Sequence, residues 1–138
     1  MREVFVDTSF FVALLNPRDR LRERAERVSR SLRGVRLITT DGVLTEFLNY
    51  FAEWGSGQRS AAAQAVSRAR GSSSAIVIPQ TRNGFDRAHQ RYAERLDKGY
   101  SLTDCESMLV MEERGIQDVL SSDQHFIQAG FRALLAEE

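Results

Sequence analysis

The chain has 138 residues, 42% of them hydrophobic, and its 19 basic and 19 acidic side chains balance to a formal charge of zero. That length suits one domain with a real core and is too short for two ordinary ones, while the charge balance excludes the strong positive field of a bulk nucleic-acid coat protein. No run approaches the roughly 18 apolar residues of a membrane span and no secretory leader pattern opens the chain, so one soluble, cytoplasmic domain over residues 1–138 is expected.

Hydrophobic runs and helical patterns then alternate. Val4 to Val6 reads as a buried strand and Phe10 to Leu15 as the helix after it, stopped near Asn16-Pro17 because proline disfavours a helical residue before it. Leu21, Ala25, Val28 and Leu32 recur at helical spacing, with Arg and Glu on the other faces, and this helix is expected to end at Gly34. Val35 to Ile38 is strand-like. Thr40 or Asp41 offers an N-cap for a helix carrying Val43, Phe47, Tyr50 and Phe51 on one side. Gly55-Ser56-Gly57 and Gly71 to Ser74 bracket an Ala-rich helix from about Gln58 to Arg70. Ala75 to Ile78 is a third strand closed by Pro79, and Phe85, Ala88, Tyr92 and Leu96 mark another amphipathic helix. Thr103 to Arg114 reads as helix with Gly115 as C-cap, followed by a short strand at Val119-Leu120, a brief helix near Gln124 to Gln128 and a last strand around Phe131 to Leu135. Strands separated by helices favour a parallel sheet covered on both faces, a three-layer α/β/α domain.

Four acids stand out against this pattern. Asp7 follows the first strand, Glu46 interrupts an apolar helix, Asp104 opens a later helix and Asp123 follows the fourth strand. If the strands are parallel, Asp7 and Asp123 share the carboxyl edge of the sheet, where ligands bind in open α/β folds. Asp7 and Asp123 could instead be helix caps, and Ser101-x-x-Asp104 or Thr103-x-x-Glu106 could be a capping box. Glu46 resists that account, since a carboxylate buried among Val43, Leu44, Phe47 and Leu48 must be paired or metal-bound. Carboxylates within about 5 Å of one another repel by roughly 3 kcal/mol per pair, and a divalent cation relieves this. Mg2+ or Mn2+ suits such oxygen ligands. Cys105, His89 and His125 show no zinc-ligand spacing; the histidines read as ordinary helix or loop residues and Cys105 as a small packing residue. Ser9, at a strand-to-helix turn, could support a metal-bound carboxylate or cap the helix.

These segments resemble the motifs of the PIN-domain family, most closely its VapC-type toxins of bacterial toxin–antitoxin modules. Val6-Asp7-Thr8-Ser9 resembles the first acidic motif, Thr45-Glu46 the second, Ser101-Leu102-Thr103-Asp104 the third, and Ser122-Asp123-Gln124-His125-Phe126 the fourth. The resemblance spans nearly the whole chain. It implies a PIN-like α/β/α sandwich in which Asp7, Glu46, Asp104 and Asp123 surround Mg2+ or Mn2+, with Ser9 and Thr103 as supporting hydroxyls. It also implies endonucleolytic hydrolysis of RNA to 5′-phosphate and 3′-hydroxyl ends, a homodimer, and a small antitoxin that occludes the acidic groove. His125 departs from the pattern, because many relatives carry a further acid there, which leaves a second metal position in doubt.

Two other readings stay open. A phosphatase of the haloacid dehalogenase type also begins with an Asp after its first strand, but expects a second Asp where this chain has Ser9. A non-catalytic PIN-like module would bind RNA or protein only; retention of all four acids speaks against it. Phe47, Tyr50, Phe51 and Trp54 have the helical spacing of core residues and could alternatively form an interface.

Overall fold

In the computed structural model, which describes residues 1–136, strands β1 (Glu3–Val6), β2 (Arg36–Thr40), β3 (Ala75–Ile78), β4 (Asp118–Leu120) and β5 (Arg132–Ala133) form one sheet. Its order is β3-β2-β1-β4-β5 and every neighbouring pair is parallel. Phe5 is in register with both Ile38 and Val119, so β1 lies at the centre. The chain runs outward from β1 through β2 to β3, then crosses to β4 on the other side of β1. The carboxyl ends of β1 and β4 therefore flank the topological switch point, the crevice where open α/β sheets take ligands.

Among the described residues, seven helices cover this sheet: α1 (Thr8–Leu15), α2 (Arg22–Ser31), α3 (Asp41–Tyr50), α4 (Ser56–Gly71), α5 (Arg82–Glu94), α6 (Leu102–Arg114) and α7 (Gln124–Gln128). Successive strand residues point to opposite faces, so the two sides of β1 bury different partners. Val4 and Val6 join Leu120 beneath Phe10, Ala13 and Ala25 of α1 and α2. Phe5 joins Ile38 and Val119 beneath Ala88, Met108, Met111 and Phe126 of α5, α6 and α7. Val12, Phe47, Phe51 and Ala62 tie α1, α3 and α4 together at one edge. The sheet is thus buried on both sides, as the expected three-layer architecture requires.

Several boundaries differ from expectation for local reasons. α1 starts at Thr8 rather than Phe10 because Asp7, in extended conformation, already occupies the N-cap position. α2 stops at Ser31, and Gly34 serves instead the turn into β2, with φ +65. α4 begins at Ser56, two residues before Gln58, since Gly55 at φ +90 absorbs the break. β5 is shorter than Phe131 to Leu135, yet the segment after it stays tied to β4, Leu134 N–H donating to the Val119 carbonyl and Leu135 N–H to the Ser121 carbonyl. The buried Asp118 carboxylate at the start of β4 accepts from Arg2 and Arg132, fastening both neighbouring segments to the sheet and holding its pKa below the usual range. The aromatic group divides: Phe47 and Phe51 are core, whereas Tyr50 and Trp54 are 45% and 44% exposed.

Candidate active site

Each of the four acids is held by its own local device. Asp7 stands at the N-cap position of α1 but makes no side-chain cap bond, so capping does not account for it. Its Oδ2 instead accepts from Ser121 Oγ at 2.8 Å, and its backbone N–H donates to the Leu120 carbonyl, joining the ends of β1 and β4. Glu46 lies in α3, half-buried rather than enclosed, and its Oε1 accepts from Thr8 Oγ1 at 2.5 Å. Asp104 closes a capping box on α6: its N–H donates to Ser101 Oγ at 2.9 Å and its Oδ2 accepts from Ser101 N–H at 3.1 Å. Asp123 caps α7, accepting from His125 N–H at 2.9 Å. For Asp104 and Asp123 the capping and site roles are compatible, because a cap uses only part of a carboxylate's acceptor capacity.

All four acids line one open cleft of about 450 Å³, together with Thr8, Ser9, Asp19, Tyr50, Gly99, Ser101 and His125. Among the described residues, none that lines the cleft is Arg or Lys. Burial, reinforced by the charges of Asp104 and Glu46, pushes the Asp7 carboxyl up to about 7 against the opposing Ser121 and Thr8 hydrogen bonds. Burial and then the neighbouring Asp123 charge raise Asp104, opposed by Ser101 and His125. Carboxylate oxygens gathered in one cleft are the donors that hard divalent cations prefer. The residues therefore fit a divalent ion.

The convergence is less uniform than expected. Among the described residues, donor atoms from Asp104, Asp123 and His125 come within 4.8 Å of one another. Asp7 and Glu46 face the same cleft outside that tight group. Ser9 reaches the Asp7 carboxylate only through Ser121, whose Oγ lies 3.4 Å from its own. Thr103, half-buried in the first turn of α6, does not line the cleft, because a helix turns each successive side chain by about 100° and Asp104 is the one aimed inward.

Four residues escaped sequence reasoning. Ser121, fully buried, donates to Asp7 and accepts from the Asp123 N–H at 3.0 Å, so one hydroxyl couples the first and fourth motifs. Thr8 orients Glu46. Asp19, from the turn between α1 and α2, adds a fifth carboxylate. Only a strand-end position between a core strand and a motif acid marks Ser121 in the sequence, and nothing marks Asp19. His125 is a correction: its Nδ1 stands 3.1 Å from Asp104 Oδ2 and 3.3 Å from Asp123 Oδ1, inside the site. Linear spacing hides this because Asp104 arrives from a different helix. His89 is exposed on α5, outside the cleft, and Cys105 is a buried packing residue whose thiol burial pushes up.

The PIN domain family model matches residues 4–132. The chain is 34% identical over 131 residues to the 23S rRNA-specific endonuclease VapC20 of two Mycobacterium tuberculosis strains, covering 93% of this chain and 95% of that protein. The crystal structure of Mycobacterium tuberculosis VapC20, described as a sarcin–ricin loop cleaving toxin, superposes with a TM-score of 0.82 at 30% identity, covering 93% of this chain and 95% of that one. FitAcB from Neisseria gonorrhoeae shares the fold, with a TM-score of 0.62 at 18% identity over 94% of this chain and 95% of that one. The matched span contains all four motif acids, which line one cleft, and the chain belongs to the PIN-domain family, in its VapC-type branch.

Proposed function

We propose that this protein is a divalent-metal-dependent endoribonuclease and the toxin of a VapBC-type toxin–antitoxin pair. The observation that carries the reading is the meeting of Asp7, Glu46, Asp104 and Asp123 in one cleft at the switch point of a parallel sheet. A bound Mg2+ or Mn2+ would supply Lewis-acid stabilisation of the phosphoryl oxygens and lower the pKa of water. Asp104 and Asp123, with Asp7 and Glu46 behind them, would hold it. Ser121 and Thr8 keep the Asp7 and Glu46 carboxylates turned toward the cleft, so little reorganisation accompanies catalysis. One carboxylate of this set orients or deprotonates the attacking water.

The substrate we assign is ribosomal RNA at a structured loop, on the strength of the near full-length likeness to a 23S rRNA-specific endonuclease. Partnership follows from charge: a cleft lined by carboxylates without Arg or Lys is complementary to an arginine side chain of a small antitoxin. The exposed Tyr50 and Trp54 beside it offer contact area for a second copy in a homodimer.

The test is to incubate the protein and Asp7→Asn with ribosomal RNA in EDTA, Mg2+ or Mn2+ and to map fragment ends. The expected result is metal-dependent cleavage at few sites, with 5′-phosphate and 3′-hydroxyl ends, lost in the variant. Cleavage in EDTA, or undiminished cleavage by Asp7→Asn, would overturn the assignment.

A further inference from the structure

We propose that His125 contributes its imidazole nitrogen to the divalent-cation site, making a mixed nitrogen and oxygen centre that favours first-row transition ions over Mg2+. The inference rests on the reading of the cleft as a cation site and goes beyond it in naming a ligand and a metal preference.

The geometry brings two of the three donor pairs to the spacing of neighbouring ligands. Adjacent donors on an octahedral ion with bonds near 2.1 Å stand about 3 Å apart. His125 Nδ1 lies 3.1 Å from Asp104 Oδ2 and 3.3 Å from Asp123 Oδ1, and the three donors fall within 4.8 Å of one another. They come from two elements, the first turn of α6 and the start of α7, whose capping bonds fix both backbones. The ring is also positioned from outside. Tyr100 meets it edge-on at 5.5 Å, and a Cβ at position 99 would stand 3.1 Å from Nε2, so Gly99 is what lets the loop backbone lie against the ring. Nδ1 is within hydrogen-bond reach of Asp104 Oδ2, so the same contact brings the imidazole and that carboxylate to ligand spacing.

Donor chemistry then sets the preference. Mg2+ keeps water and carboxylate oxygens, whereas imidazole suits the later first-row ions, and replacing one oxygen by nitrogen biases the site toward them.

The decisive measurement is electron spin-echo envelope modulation on the Mn2+-loaded protein. A 14N modulation from coordinated imidazole is expected, lost in His125→Asn and retained in His89→Asn. Titration calorimetry with Co2+ and Mg2+ should show the Co2+/Mg2+ affinity ratio falling on the order of tenfold in His125→Asp. Absence of 14N modulation in the wild-type protein, modulation that survives His125→Asn, or failure to bind Mn2+ at all would overturn the inference. RNA cleavage in the same samples separates the two readings: cleavage without 14N modulation leaves the nuclease standing and removes His125, and modulation without cleavage does the reverse.

Discussion

Asp7 carries the sharpest consequence of the site, because burial holds its carboxyl near 7 when no cation is present. A folded-state pKa raised above the unfolded value of about 3.9 means that the native state binds this proton more tightly. The stabilisation is complete below the unfolded pKa and is lost as pH rises through about 7. In EDTA, melting temperature should therefore fall between about pH 4 and pH 8 by the equivalent of a few kcal/mol, and Asp7→Asn should flatten that dependence. Differential scanning calorimetry across this range would measure it. Ser121→Ala tests the hydroxyl that joins two motifs. Removing it strips the Asp7 carboxylate of its donor and orphans the Asp123 N–H, so cleavage should drop at least tenfold, on the order of one lost hydrogen bond to a charged group. Retention of full turnover at saturating metal would show that Ser121 only packs. The four acids were legible from their places at strand ends, at a helix start and inside an apolar helix, in the order of the family's motifs; Ser121 and Thr8 were not, because a hydroxyl near a strand end violates no local rule.

At the scale of elements, α6 shows how one device serves fold and site together. Its N-terminal capping box is the structure that aims Asp104 into the cleft, and Gly115 at φ +68 ends it in the left-handed conformation. Ser101→Ala should cost about 1 kcal/mol of stability, as lost caps do, while leaving metal affinity nearly unchanged, because the Asp104 carboxylate accepts from the Ser101 backbone N–H, which alanine retains. Urea unfolding paired with Mn2+ titration checks this; a marked loss of affinity would show that the hydroxyl also orients the carboxylate. The helices themselves were readable from apolar periodicity and breakers. Their ends were harder, since Asp7 and Gly55 shift a start and Leu32 closes α2 before the glycine that sequence favours.

For the whole molecule, neutrality overall hides a strongly acidic cleft, which on the proposed reading RNA approaches with cations in place. Ions that bind the native state alone stabilise it by about 2.7 kcal/mol at one hundred times their dissociation constant. Mn2+ should accordingly raise the melting temperature of the wild-type protein by several degrees and leave Asp104→Asn nearly unmoved, as a thermal-shift assay would record. Equal shifts in both proteins would mean that the ion acts elsewhere. The sequence by itself determined the layer architecture and the four motif acids, because strand and helix periods and misplaced charges are local properties of the chain. It did not reveal that Asp104, Asp123 and His125 form the tight group, that Asp19 joins the rim, or that Thr103 turns away. Those depend on the strand order β3-β2-β1-β4-β5 and on helix rotation, which place residues distant in the chain within hydrogen-bond reach. Only packing against both faces of the sheet decides that rotation, and no spacing along the chain encodes it.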